Sequence, residues 1–147
     1  MDLRDIVNAL PVHPTKKIRK RNRSDIARIV VHGTDDDCTP LALARYDTSP
    51  GNHISVDGCP SITYAEMFMK DGMVYHTAPF EWITWHVGTY NADSLGFALV
   101  YKCTDKDGVD KFAPPKKALE ALYSRLAEVC LKLKLRPSES TIVGHRE

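Results

Sequence analysis

Arg28-Ile29-Val30-Val31-His32-Gly33 is the stretch that decides the fold. Three successive β-branched residues closed by a glycine read as a buried strand, because branched side chains fit a pleated surface and Gly ends it. A second run, Gly96-Phe97-Ala98-Leu99-Val100-Tyr101, is continuously apolar and reads as a central strand covered on both faces. Between them, Thr39 to Tyr46 predicts a short helix, with Thr39 as N-cap and Pro40 at the first helical position. Asp47 to Pro60 holds Pro50, Gly51, Gly58 and Pro60 and predicts a loop. Tyr64 to Lys70 and Met73 to His76 flank Asp71-Gly72, the pattern of a β-hairpin. Beyond a polar loop at Asp105 to Pro115, Lys116 to Leu135 predicts an amphipathic helix. Leu119, Leu122, Leu126, Val129 and Leu133 share one face, while Lys117, Glu120, Ser124, Arg125, Glu128 and Lys132 are expected to face water. Thr141-Ile142-Val143 predicts a last short strand that delivers Gly144-His145-Arg146-Glu147, and Ile6 to Leu10 a helical turn ended by Pro11. The alternation predicts an α/β fold: a single domain with a central mixed β-sheet flanked by α-helices.

The chain has 147 residues, enough for one hydrophobic core and too few for two comfortable ones. With 43% apolar and 27% charged residues, the composition is globular rather than disordered. Its apolar runs are far too short for a membrane span. The net charge of +1 argues against a dedicated nucleic-acid binder, so neither nucleic acid nor membrane is an expected partner, and a monomer is expected. Charge is nevertheless uneven. Residues 1–23 hold seven basic residues against two acidic ones and read as a solvated basic arm ahead of a domain spanning 24–147. No aromatic residue interleaves the run Lys16 to Arg23 for base stacking. No apolar secretion signal opens the chain, which predicts a cytoplasmic product as written. Cys38, Cys59, Cys103 and Cys130 show no C-x-x-C spacing and read as small buried or half-buried residues.

Chemistry is most readily sought among the six histidines, since imidazole serves both metal binding and proton transfer. His32 ends the first predicted strand, and the rim of an α/β sheet is where sites form. His145 follows another predicted strand, 113 residues away, so only the fold can bring the two together. Taken singly, each is more often a surface or core residue than a ligand.

The succession is more specific. Val30-Val31-His32-Gly33-Thr34 is followed by Tyr64 ahead of Asp71-Gly72. Then come Trp85-His86-Val87-Gly88, Asn91-Ala92-Asp93-Ser94-Leu95-Gly96-Phe97 and, after the long helix, Val143-Gly144-His145-Arg146-Glu147. In this order, from about Ser24 to the end, the chain resembles the zinc-dependent N-acetylmuramoyl-L-alanine amidases, a family shared by phage lysozyme-type amidases and peptidoglycan-recognition proteins. The resemblance implies Zn2+ held by His32 and His145, with a third ligand, Cys or Asp, several residues past Gly-His-Arg. That position lies beyond Glu147, so the chain as written is expected to lack the end of its domain. The resemblance also implies a catalytic Tyr64, eight residues before Gly72, and a substrate cleft over Trp85, His86 and Asn91. His86 is expected either to hold substrate or to protonate the leaving amine. The glutamate that the cytosolic branch places after Ser-x-Gly is replaced here by Ala98, which sorts the chain toward the tyrosine-using branch. The histidine that usually follows the tyrosine is replaced by Ala65.

The implied activity is cleavage of the amide between N-acetylmuramic acid and L-alanine of peptidoglycan by zinc-activated water, on the cell wall after release if the protein is phage-type. A glycan–peptide polymer calls for an open groove. The competing reading is a peptidoglycan (muropeptide) binding module that keeps the groove without cutting. A nucleic-acid protein using Lys16 to Arg23 is the remaining alternative.

Overall fold

The computed structural model describes residues 1–145. Its centre is a six-stranded mixed sheet formed by β1 (Leu3–Asp5), β2 (Arg28–Gly33), β3 (Glu66–Phe68), β4 (Val74–His76), β5 (Ser94–Leu99) and β6 (Ile142–Gly144). They lie side by side in the order β1-β4-β3-β5-β2-β6. β2 pairs in parallel with both β5 and β6, and β3 in parallel with β5. β3 and β4 form the antiparallel hairpin expected around Asp71-Gly72, where Gly72 takes φ +91°, a conformation open to glycine at no steric cost. Because β2, β5 and β6 run the same way, their C-terminal ends share one rim, and residues that end them are brought together there.

The two faces are covered differently. Ile29, Leu95, Phe97, Leu99, Phe68 and Val74 pack against helix α2 (Lys116–Leu133) through its Ala118, Ala121, Leu122, Leu126, Val129 and Cys130. Each large apolar side chain removed from water there contributes roughly 1.5–3 kcal/mol. On the opposite face Met67, Ala98 and Val100 pack with Ile62, Ala78 and Ala44, the last from helix α1 (Pro40–Thr48). The Thr39 hydroxyl accepts from the Ala42 amide, so the expected N-cap is in place. The strand alternation then sends Val30 and His32 of β2, and Gly96 and Ala98 of β5, to the face away from α2.

Several elements differ from the sequence reading. β5 begins at Ser94, two residues early, because Ser94 and Leu95 still find partners in Arg28 and Ile29. α2 stops at Leu133, where Lys134 turns to φ +55° and its amide closes the last turn. β1 was not expected: Leu3, Arg4 and Asp5 are all exposed and show no alternation, yet they pair with Val74, Tyr75 and His76. Arg125, expected in water, is 5% exposed. Its guanidinium donates to both carboxylate oxygens of the fully buried Glu66 on β3, and to Glu128. The basic segment lies against the domain rather than standing off from it. Arg21 Nε donates to the Phe80 carbonyl, and its Nη1 to the carbonyls of Asn91 and Ser94, each at 2.8 Å. The four cysteines are free thiols, buried or half-buried as expected.

Candidate active site

His32 closes β2 beside Ala98 of β5, and His145 follows β6 with its amide on the Val31 carbonyl. Their Nδ1 atoms face each other 3.1 Å apart. Two nitrogen ligands at about 2.0–2.1 Å from a tetrahedral zinc stand roughly 3.3 Å apart, so this pair fits the ion. His32 is 3% exposed. Burial first, then the neighbouring His86 and His145, hold its pKa down to about 3, so the ring is neutral at neutral pH, as a ligand must be. Among the described residues no third His, Cys, Asp or Glu joins them. Cys59 is fully buried elsewhere, its thiol pushed up to about 11 by burial, which disfavours the thiolate that metals bind. The third ligand implied by the resemblance, and Arg146 of the Gly-His-Arg motif, lie outside the described residues.

Three further groups surround the pair. The Tyr64 ring lies 5.0 Å from that of His32, on the segment leading into β3. That segment is fixed by Asp47 at the end of α1, whose carboxylate accepts from the amide and hydroxyl of Thr63, both at 2.9 Å. Burial pushes the Asp47 carboxyl up from its ordinary value, while the bonds to Thr63 oppose that shift. His86 packs edge-on to His32, with Nδ1 2.9 Å from His32 Nε2 and Nε2 3.1 Å from the Ser94 hydroxyl. Both of its ring nitrogens are therefore engaged inside the protein. Burial lowers its pKa to about 4. Asn91, expected at the substrate, turns its Oδ1 inward to accept from the amides of His86 and Val87 at 3.0 and 2.8 Å, and so shapes the loop that carries His86. Trp85 is half-buried on the same loop, with the Lys16 ammonium 5.0 Å above its ring.

Sequence reasoning missed two of these positions. Ser94 was noted only as part of Ser-x-Gly, although its hydroxyl supports His86. Gly96 earns its place sterically: a Cβ there would sit 2.7 Å from His86 Cγ, closer than real contacts allow. A glycine between Leu95 and Phe97 inside a central strand, where no turn calls for one, was the available signal.

The site opens into a groove. A cleft of about 200 Å3 over Tyr64, Trp85, His86, Val87 and His145 shares His53, Ile54, Thr63 and Tyr64 with a second cleft of about 340 Å3 running past Gly33, Cys38 and Tyr46. The sequence profile of the N-acetylmuramoyl-L-alanine amidases matches residues 22–147. The chain belongs to this amidase family. Family membership ties it to peptidoglycan and, at that level, to amide hydrolysis. Solved structures show the same fold. Drosophila peptidoglycan recognition protein SD is 20% identical, with a TM-score of 0.74 over 99% of this chain and 84% of its own. The Ph2119 endolysin of a Thermus scotoductus bacteriophage is 21% identical, with a TM-score of 0.67 over 97% and 84%. The amidase LysC of Clostridium intestinale is 17% identical, with a TM-score of 0.65 over 92% and 81%. None of the curated proteins matches the chain. Among the described residues no helix is long and apolar enough to cross a membrane.

Proposed function

We propose that this member of the family hydrolyses the amide between the lactyl group of N-acetylmuramic acid and L-alanine in peptidoglycan, using zinc-activated water. The observation that carries the proposal is the pair of imidazoles whose Nδ1 atoms meet at 3.1 Å on the rim of the sheet. His32 and His145 would hold the metal, with a third ligand from beyond Glu147. Zinc, when bound, supplies Lewis acidity and makes a nucleophile of water near neutral pH. Tyr64 stands beside His32, and its Oη–H donates to the oxyanion that develops on the scissile carbonyl. Trp85 gives the groove a flat apolar wall against the substrate, and Asn91 holds the backbone of that wall in place. The continuous open groove suits a polymer better than a free small molecule. Drosophila PGRP-LB, whose mutant was solved in complex with tracheal cytotoxin, shares the fold at 20% identity and a TM-score of 0.70.

A second reading draws on the groove itself: lined by Tyr64 and Trp85, in a fold shared with Drosophila peptidoglycan recognition protein SD, it would bind muropeptide without cutting it. Purified peptidoglycan separates the two readings: the hydrolase releases new L-Ala amino termini and stops on chelation, whereas the binding module retains muropeptide, carries no zinc and releases none.

A further inference from the structure

His86 sits behind His32 in a chain of hydrogen bonds whose far end is a backbone carbonyl. A carbonyl can only accept, and this fixes the direction of every bond in the chain. The Ser94 hydroxyl is 2.6 Å from the Tyr90 carbonyl oxygen, so its single hydrogen goes there. Ser94 Oγ must then accept at its 3.1 Å contact with His86, which places a hydrogen on His86 Nε2. His86 Nδ1 is left with a lone pair and accepts from His32 Nε2 at 2.9 Å. His32 therefore carries its hydrogen on Nε2, and its bare Nδ1 is the atom that faces His145. The ring of His86 can take this position only because residue 96 is glycine, and its backbone is held by Asn91 Oδ1.

We infer that His86 and Ser94 are positioning residues that set the tautomer of His32, presenting its Nδ1 lone pair at the point shared with His145. This deepens the proposed metal site and rests on that reading for its purpose, though not for its hydrogen-bond logic. His86, with both ring nitrogens engaged behind His32, is then neither the acid for the leaving amine nor a substrate contact. Among the described residues His145 has no such support beyond its contact with His32. In the metal-free protein its Nδ1 carries the hydrogen that bridges to His32, and metal binding moves that hydrogen to Nε2. One ligand is preset and the other responds.

The test is a 1H–15N correlation spectrum of the histidine side chains in the metal-free protein at pH 8, followed by zinc titration against a competing chelator. His32 and His86 are expected with hydrogen on Nε2, and His145 with hydrogen on Nδ1. Ser94→Ala leaves His86 free to turn its tautomer over, so His32 is expected to become a mixture and zinc affinity to fall about tenfold, within the range for lost support behind a ligand. His86→Asn keeps an acceptor near the Nδ1 position and is expected to restore both, while His86→Leu is not. A His32 ring with its hydrogen on Nδ1 in the native protein overturns the inference. So does Ser94→Ala with unchanged tautomers and zinc affinity. The expected tautomers in a protein that takes up no zinc would uphold this inference and remove the metal site proposed above.

Discussion

Tyr64 reaches the site because Asp47 grips Thr63 beside it and the hairpin begins two residues later. In the proposed reaction it donates a hydrogen bond in the transition state, so Tyr64→Phe should keep zinc content and melting temperature while kcat falls roughly 10²–10³-fold, as for loss of one oxyanion donor. Full turnover by the variant would reduce Tyr64 to packing. Gly96 makes a complementary prediction. Gly96→Ala forces its Cβ against the His86 ring, and the overpacking should cost about 1–3 kcal/mol in urea unfolding. Zinc affinity should drop with it. At this scale the sequence displayed His32 and His145 as strand-end residues, and Tyr64 only through the family resemblance. It did not display the work of Ser94, because a serine at a strand start looks the same whether its hydroxyl meets water or a buried imidazole.

Hairpin and helix are joined by an ion pair that no periodicity reveals. Arg125 stands three residues from Leu122 on α2, at the margin of the apolar face, and its charge alone would assign it to solvent. Its burial is dictated by Glu66, 59 residues earlier and fully enclosed on β3, which also receives His76 Nδ1 at 3.3 Å. Arg125→Met should therefore cost about 3–5 kcal/mol, since it strands a buried carboxylate. The double variant with Glu66→Leu should recover most of that loss in a urea-denaturation cycle. A double variant that loses the sum of the two single losses would mean that the pair is not coupled. The end of β2 is tied down differently. Asp35, at φ +52°, accepts from the hydroxyl and amide of Thr104 and from the amide of Cys103. These bonds, the Thr104 hydroxyl first, hold its carboxyl well below the usual carboxylate range. A folded-state pKa below the unfolded one gives stability that is present above the unfolded value, about 3.9, and lost as pH falls below it. Melting temperatures between pH 7 and 3 should fall less steeply for Asp35→Asn than for the unmodified protein. A parallel decline would remove Asp35 from the acid response.

The whole molecule follows from three parallel strands, β2, β5 and β6, whose ends converge on one rim. That much was legible: two apolar runs, a hairpin and an amphipathic helix specify an α/β sheet, and the order of short motifs specified the family when no single one did. The role of residues 1–23 was hidden, because net charge says where a segment is soluble and nothing about which carbonyls an arginine such as Arg21 will satisfy. Exposed β1 likewise joins the sheet through backbone bonds that leave no side-chain pattern. The central claim is that His32 and His145, 113 residues apart, grip one ion that drives amide hydrolysis. It is tested most directly by measuring zinc content together with L-Ala amino termini released from purified peptidoglycan, before and after thorough chelation and after zinc is restored. The account predicts one zinc per chain, release abolished by chelation and recovered with zinc, and both lost in His32→Ala and His145→Ala. Release that continues undiminished in fully chelated protein would contradict it.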